Sequence, residues 1–474
     1  MTYRFALKSL GMLLFVGTAM ILCGNASIQA ELLLGAVALL ATALMLYLRG
    51  RTSKAPLPYN FVPSEDTTQG PGLMAGLLFV LLMSGPPKLR SRDPLASIRG
   101  DVDAVVVFNL LVWGVAGLWL GYYMLVGMLE GQPRFRFWLP QKIGLALILC
   151  LGVSAVVSAA PALTLFKVYQ MIVMLLFSLV FVRRYGVEAC LHKLFLGSAL
   201  LVISIAVSAL VAPSLVLYGS RLTGDMIAPA GSVSALALIL LLTSCPRLRM
   251  TTFLVLFMLF VIVLVFSRTR SAYAVIIGVL ASGLFIRPKI RALRGLSVAV
   301  LAVMPILLIS GLVPQLTQWV VRDPDPKSLS TLSDRTGLWT YLADVTLTKS
   351  PWIGLGYYSA SRVYGPKYNP GLGNAHSAFM EVFVGGGILS TAVMILLCCV
   401  LLTYAIVLLC RQSDRFSFAT SSLLVTVLLL GQVGEAIDAG PVGFTFWSLA
   451  ATLPLLHERL GAKIGSPEQT GRRC

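Results

Sequence analysis

Residues 314–376 read PQLTQWVVRDPDPKSLSTLSDRTGLWTYLADVTLTKSPWIGLGYYSASRVYGPKYNPGLGNAH and form the only long polar segment of the chain. The remainder alternates apolar runs with short connections. Chemistry on a polar substrate is therefore expected in this segment and in the helix after it, which we predict to begin at Asn374-Ala375-His376. Four prolines argue against one continuous helix across the segment, namely Pro324, Pro326, Pro366 and Pro370.

The composition indicates a membrane protein. The 474 residues are 57% hydrophobic and 12% charged, with a mean hydropathy of +0.88. A soluble domain carries roughly 25% charged residues. A helix of about 20 apolar residues is long enough to cross a bilayer, and the chain contains many apolar runs of about this length. We therefore predict an all-α polytopic membrane protein that lies in the lipid bilayer. In a membrane protein, a net charge of +18 is interpreted by asking which side of the bilayer each Lys or Arg faces. No nucleic acid is therefore expected as a partner.

Apolar runs predict about 12 to 14 transmembrane helices. They lie at 9–25, 28–48, 73–85, 103–129, 141–159, 162–182, 190–212, 230–244, 250–267, 272–286, 296–313, 377–409, 416–432 and 442–456. The run at 73–85 is short for a crossing. The run at 377–409 is long enough for a surface-lying segment followed by a crossing.

The connections between these runs alternate in their content of Lys and Arg. The richer set includes Arg183-Arg184 and the cluster from Arg287 to Arg294. Loops rich in Lys and Arg stay in the cytoplasm, so both termini are predicted to be cytoplasmic and the 314–373 loop to lie outside. No cysteine falls in that loop, and no disulfide framework is indicated.

Four arginines on the predicted outer side break this charge rule. They are Arg221, Arg268, Arg270 and Arg335. A guanidinium group keeps its charge and presents a planar fork of donors that suits phosphate oxygens, so the four would suit a lipid-linked diphosphate. The alternative is that these arginines reach lipid headgroups or pair with nearby acids such as Asp225 and Asp334. The dibasic turn containing Arg268 and Arg270 favours the diphosphate.

His376 is the only one of three histidines on the predicted outer side. A neutral imidazole there can accept a proton from a sugar hydroxyl, as a general base must. The alternative is an interfacial or capping histidine. His192 and His457 lie near cytoplasmic helix ends, where an interfacial role is expected. Glu381 follows His376 by five residues, which is a poor spacing for a partner on one helix face.

Two D-x-D patterns, Asp101-Val-Asp103 and Asp323-Pro-Asp325, are the only hints of a metal site. Such triplets arise easily in polar loops, and solvated or capping roles are favoured over metal binding. Nothing resembles a Walker loop, a Ser-His-Asp order or a zinc signature. We therefore expect no metal and no cofactor.

Several motifs in order resemble the O-antigen ligase and polysaccharide polymerase superfamily. They are Ser333-Asp-Arg-Thr-Gly-Leu-Trp339, Lys349-Ser-Pro-Trp-Ile-Gly-Leu-Gly356 and Asn374-Ala-His376 with a Gly-rich entry into the next span, preceded by Arg221-Leu-Thr-Gly224 and Ser267-Arg-Thr-Arg270. The resemblance covers residues 145–450. Ser377 departs from it, because the family often has Asn there.

The resemblance implies a metal-independent, inverting glycosyltransferase at the periplasmic face of the bacterial inner membrane. Such an enzyme moves a glycan from undecaprenyl diphosphate to a saccharide acceptor. His376 would be the base, Arg221, Arg268 and Arg270 would hold the diphosphate, and Arg335 would assist. The implied division is 1–140 for N-terminal helices, 141–313 for core helices, 314–376 for the periplasmic loop and 377–474 for C-terminal helices and tail.

Three interpretations of function follow. The favoured one is an O-antigen ligase with lipid A–core as acceptor, and a polymerase with the same chemistry is the alternative. The second class is a lipid-linked oligosaccharide flippase or other transporter. A transporter lines its path with charge, whereas the predicted spans are nearly free of charge and the unusual residues gather at one face. A purely structural protein would not need the dibasic turn and the outer histidine together.

Overall fold

A computed structural model describes residues 72–84, 99, 101, 103–129, 137–211, 217–218, 221–222, 227–244, 248, 250–267, 269, 272, 335–369, 373–411, 415–432, 437 and 440–464. The helices are α1 (Leu73–Ser84), α2 (Ala104–Leu129), α3 (Leu139–Val153), α4 (Pro161–Val211), α5 (Ile227–Ser244), α6 (Met250–Ser267), α7 (Arg335–Lys349), α8 (Ser359–Tyr368), α9 (Ala378–Arg411), α10 (Arg415–Gln432) and α11 (Pro441–Ile464). Two short strands, β1 (Leu217–Tyr218) and β2 (Arg221–Leu222), pair antiparallel.

The described helices confirm an all-α, multi-pass membrane protein. Four of them are long and apolar enough to cross a bilayer, at Val106–Val126, Leu139–Val157, Pro161–Leu210 and Ala378–Cys410. Many large apolar side chains on them are exposed, Leu210 by 83%, as a lipid-facing surface requires. The predicted spans at 9–25, 28–48 and 296–313 lie outside the described residues, as does nearly all of 272–286. The total of twelve to fourteen spans therefore stays a prediction.

Helix α4 is two helices joined at a sharp bend. Its 51 residues would reach about 76 Å if straight, and a bilayer core is only about 30 Å thick. The chain bends at Gly186, where φ is 82° and ψ is 171°. The bend separates two segments of nearly equal length, which agree in extent with the spans predicted at 162–182 and 190–212.

The main core is built around α4, with α1 and α11 packed on it. Phe79 of α1 lies with its ring centroid 4.6 Å from that of Phe181 and 4.8 Å from that of Phe444. Polar side chains add interhelical hydrogen bonds inside this apolar core, such as Gln141 Nε2 to the Ala450 carbonyl at 2.8 Å. At 12 residues, α1 extends about 18 Å, so this helix alone is too short to cross the hydrocarbon.

Helix α9 is broken at Gly387, where φ is 68° and ψ is −165°. The break leaves carbonyls before it and amides after it without partners in the helix. Residues 351–356 supply those partners: Leu355 N donates to Val384 O at 2.9 Å, and Gly356 N donates to Gly385 O at 3.0 Å. In return, Ile388 N donates to Pro351 O at 2.8 Å. The glycines at the entry to α9 therefore permit both the bend and the close approach of residues 351–356.

Helices α7 and α8 form a small unit above the first segment of α9. Its own hydrophobic core joins Leu338 and Leu342 of α7 to Leu355, Ala360, Ala375 and Val384. Leu338 and Leu342 are four residues apart and therefore lie on one helix face. The described part of the predicted outer loop is consequently folded, and we call residues 335–377 the outer unit. Its periplasmic location and the four-part division of the chain stay predictions.

Substitution of Gly354 tests the close approach between residues 351–356 and α9. It has a φ of 71°, and a Cβ atom there would collide with backbone atoms of Gly385 and Gly386. Gly354→Ala should lower the free energy of unfolding by more than the roughly 1–2 kcal/mol of a left-handed non-glycine residue alone. Gly114→Ala in α2 is the control, because a Cβ there meets nothing within 4 Å. Equal thermal unfolding midpoints of the two variants in detergent would contradict the proposed packing.

Candidate active site

His376 lies in a tight turn immediately before α9. Its φ is 51°, a left-handed conformation that is uncommon outside glycine. The Asn374 side-chain oxygen accepts the His376 amide at 3.0 Å and stabilises this turn. The prediction that the helix begins at Asn374 is therefore wrong: α9 begins at Ala378.

Ser377 explains why the helix starts where it does. Its hydroxyl accepts the Met380 amide at 3.4 Å, as an N-cap side chain does. Serine and asparagine are about equally effective at this position. The replacement of the usual Asn by Ser377 is thus compatible with the same local structure.

The backbone of Ala375, next to His376, is held on both sides. The Trp339 indole Nε1 of α7 donates to the Ala375 carbonyl at 2.8 Å, and the Ala375 amide donates to the Glu381 carboxylate at 3.4 Å. Ala375 itself is fully buried. The histidine is consequently positioned through its neighbour's backbone.

Glu381 also connects the turn to α8. The carboxylate is 2% exposed and accepts the Ser361 hydroxyl at 2.7 Å. Arg362 Nη1 lies 3.7 Å from the same oxygen, in a pair whose side chains are 10% and 3% exposed. The sequence spacing correctly argued against a helix-face pair with His376, but it gave no sign of these contacts.

Two guanidinium groups act on the ring of His376. The pKa of His376 is lowered to about 4, mainly by burial and also by the charges of Arg335 and Arg362. Burial also lowers the pKa of Arg335, the residue with which α7 begins. A helix N-terminus is the positive end of the helix dipole, so a cation is disfavoured there and an anion is favoured. The ring of His376 is therefore neutral at neutral pH and lies beside positive charge.

Arg362 and Lys167 are site residues that the sequence analysis missed. The guanidinium carbon of Arg362 lies 3.2 Å from the ring centroid of Tyr358, and Lys167 Nζ lies 3.8 Å from the same centroid. Arg362 also donates to the Tyr358 carbonyl at 2.9 Å. Lys167 is on α4, far away in sequence, so no motif or spacing connects it to α8.

Hydroxyl groups join α8 to the membrane helices beneath it. Ser359 at the start of α8 hydrogen bonds to Ser158 at 2.7 Å, and Thr164 of α4 donates to the Tyr357 carbonyl at 3.0 Å. The Tyr357 amide donates to Ser154 at 3.0 Å. These bonds fix the outer unit over the ends of α3 and α4, where Lys167 lies.

The remaining predicted site residues lie at the edge of what the structure describes. The backbone of Arg221 belongs to β2, which contacts α6, but its side chain is outside the described part. Arg268 and Arg270 lie outside the described residues. The structure therefore brings together His376 and Arg335 and leaves the other three assignments as predictions.

No group of three or more His, Cys, Asp or Glu side chains is placed to hold a metal ion among the described residues. Asp103 caps α2, since its carboxylate accepts the Val106 amide at 2.9 Å, and Asp101 lies 3.8 Å from Arg99. These contacts support the favoured capping interpretation of that D-x-D pattern. Asp323 and Asp325 lie outside the described residues.

The fold and site define a multi-pass helical membrane protein with a histidine and basic side chains gathered in one folded outer unit. Residues 253–395 match the family model described as O-Antigen ligase. The match supports the O-antigen ligase superfamily, and with it a ligase or polymerase type of function and a membrane glycosyltransferase-like enzyme. That family implies a lipid-linked glycan donor and a sugar acceptor. No curated protein matches the chain.

In the Glu381→Ala variant, the outer unit should unfold more easily. The substitution leaves the buried charge of Arg362 without its carboxylate and frees the Ala375 amide, and breaking a buried pair in this way costs about 3–5 kcal/mol. Asp344→Asn on the exposed face of α7 is the control and should have little effect. The measurement is proteolysis of the 335–377 unit in detergent as a function of temperature. Equal cleavage of the two variants would refute the role of Glu381.

Proposed function

We propose that the protein is a glycosyltransferase at the periplasmic face of the bacterial inner membrane. It moves a glycan from undecaprenyl diphosphate to a hydroxyl of an acceptor sugar, as an O-antigen ligase does with lipid A–core. The observation that carries the proposal is a partly buried, neutral His376 beside the charges of Arg335 and Arg362. A base next to fixed cations is what this displacement requires.

The proposed reaction is one displacement. The acceptor oxygen forms a bond to the anomeric carbon as the bond from that carbon to the diphosphate oxygen breaks, so the configuration inverts. The acceptor proton moves to a ring nitrogen of His376, and undecaprenyl diphosphate leaves with the electron pair of the broken bond. Arg221, Arg268, Arg270 and Arg335 are proposed to stabilise the negative charge that develops on the diphosphate. The diphosphate is already a good leaving group, so we propose that no metal is needed.

We propose that binding of the donor raises the pKa of His376. A pKa of about 4 makes a free imidazole available but weak, because an efficient base has a pKa near the working pH. The bound diphosphate places negative charge near Arg335 and Arg362, and so offsets the charges that lower the pKa of His376. The pKa of the ring then rises toward the working pH when the donor is in place.

His376→Ala should lower transfer by about 10²- to 10⁴-fold, the usual contribution of a general base. The assay supplies purified protein with one undecaprenyl-diphosphate-linked glycan, with and without lipid A–core. Glycosylated lipid A–core identifies a ligase, and longer lipid-linked chains without core identify a polymerase. His457→Ala is the control, since His457 of α11 packs on Tyr404 of α9 and is remote in the sequence from the outer unit. Undiminished transfer by the His376→Ala protein would refute the mechanism.

The dependence of rate on pH gives a second prediction. Protonation of His376 abolishes its function as a base, so activity is lost as pH falls through its pKa. The acidic limb of kcat/KM, which reports the free protein, should lie near pH 4. The limb of kcat, which reports the donor complex, should lie at higher pH. A kcat limb at or below that of kcat/KM would contradict the proposed effect of the diphosphate on His376.

A further inference from the structure

Trp352 is exposed at the base of the outer unit and continues the lipid-facing surface of α9. Its side chain is 67% exposed, whereas the other tryptophans that the structure describes are buried or half-buried. The Trp352 carbonyl accepts the Leu389 amide at 3.4 Å, and Leu389 and its neighbour Ile388 are exposed. Ile395 and Leu396 extend this exposed face, because residues seven and eight apart lie on one side of a helix. Trp352 is thus continuous with a face that lipid covers.

The lengths of two spans place Trp352 at the edge of the hydrocarbon. Residues 388–411 follow the break in α9 and would extend about 36 Å, slightly more than the roughly 30 Å of a bilayer core. The span Leu139–Val157 contains 19 residues and would extend about 28 Å. Each segment needs nearly its full length to cross the bilayer. The ends that meet the outer unit therefore lie near the edge of the core.

Close packing brings these two ends to the same level. A Cβ atom on Gly386, just before the break, would collide with Leu151 near the end of the other span. Val156 lies in the last turn of that span and is 85% exposed, and no charged residue occurs in 143–166. Contiguous exposed apolar side chains without charge mark a surface that contacts a membrane or another apolar partner. Trp352 and Val156 therefore belong to one apolar rim around the base of the outer unit.

We propose that Trp352 lies in the headgroup layer of the adjoining leaflet and holds the outer unit at the bilayer surface. An indole ring combines a large apolar surface with one N–H donor, and tryptophan is enriched where hydrocarbon meets water. The edge of the hydrocarbon is this boundary, and the backbone pairing with α9 keeps Trp352 there. The partner is the lipid surface itself, so the contact does not depend on the proposed function.

This contact limits the distance between His376 and the lipid. The first segment of α9, residues 378–386, extends about 14 Å, so its start lies no more than about this distance from the break. His376 comes directly before that start. Saccharides that reach His376 are therefore held close to the headgroups. Under the proposed function, this favours substrates whose lipid ends stay in the bilayer.

Quenching of tryptophan fluorescence by brominated lipids tests the position of Trp352. The full chain is placed in phosphatidylcholine nanodiscs with bromine atoms either near the headgroup or near the end of the acyl chain, and is compared with Trp352→Phe. The emission that Trp352→Phe lacks should be largely lost with bromines near the headgroup. It should fall less with bromines near the chain end, and little with iodide in the water, because the ring lies at the boundary.

Two added tryptophans in the Trp352→Phe background calibrate the measurement. Val156→Trp lies on the same rim and should be quenched by the same brominated lipid as Trp352. Thr340→Trp is the control, because Thr340 is exposed on α7 beside Trp339, which bonds to Ala375 at the end of the outer unit remote from the break. Its emission should be quenched by iodide and not by either lipid.

Other outcomes overturn the proposal. Quenching of the Trp352 emission by iodide alone would place the ring in water, where it is open to a soluble ligand such as a saccharide. Strongest quenching by bromines at the chain end would place the ring inside the hydrocarbon. Should Trp352→Phe fail to fold, Val156→Trp is added to the otherwise unmodified protein, and iodide quenching of the added emission refutes the rim. None of these outcomes bears on His376, which the transfer assay tests separately.

Discussion

The backbone pairing between residues 351–356 and the break in α9 is the interaction on which the rest of the site depends. A helix interrupted inside an apolar protein leaves polar backbone groups that water cannot reach, and each such group is costly unless it finds a partner. Residues 351–356 provide two amides and two carbonyls to the break around Gly387. The glycines at 354, 356 and 387 adopt positive φ. A Cβ atom on Gly354 or Gly387 would collide with the backbone of the opposite segment, and one on Gly356 would collide with Ser158 and Ser359.

The pairing also positions the two helices that flank residues 351–356. α7 precedes this segment and α8 follows it, so both are brought over the first turns of α9. There they bury Leu338, Leu342 and Val384 together. The same arrangement places Trp339 and Glu381 on the two sides of Ala375, and thereby sets the position of His376. The proposed role of His376 thus depends on the packing of glycines that precede it and follow it in the chain, such as Gly354 and Gly387.

Sequence patterns predicted the parts of the structure that local chemistry determines. Apolar runs of sufficient length predicted the extents of α2 and of both halves of α4. The sequence also assigned His376 and Arg335 to one site, and the charge of Arg335 does act on the ring of His376, although the roles of the two residues stay predictions. The start of α9 was predicted two to four residues too early, because apolar periodicity does not detect the left-handed turn at His376 or the cap at Ser377. Lys167 could not be predicted at all, since a cation packed on a distant tyrosine leaves no spacing in the sequence. Arg362 lies four residues after Tyr358, but its ion pair with Glu381 joins α8 to α9 and leaves no helical spacing in the sequence.

The way in which His376 is held bears on the order of substrate binding. Its ring forms no hydrogen bond with the described residues, and its position comes from the backbone of Asn374 and Ala375. In a histidine base oriented by a carboxylate, the carboxylate supports the charge that the ring acquires. The groups that act on the ring of His376 are instead two guanidiniums, which oppose that charge. Arg362 is already paired with Glu381, and under the proposed mechanism the diphosphate of the donor adds further negative charge that offsets the two guanidiniums. The ring therefore becomes an effective base only after the donor has bound, and an acceptor that arrives first would find a base too weak to activate its hydroxyl.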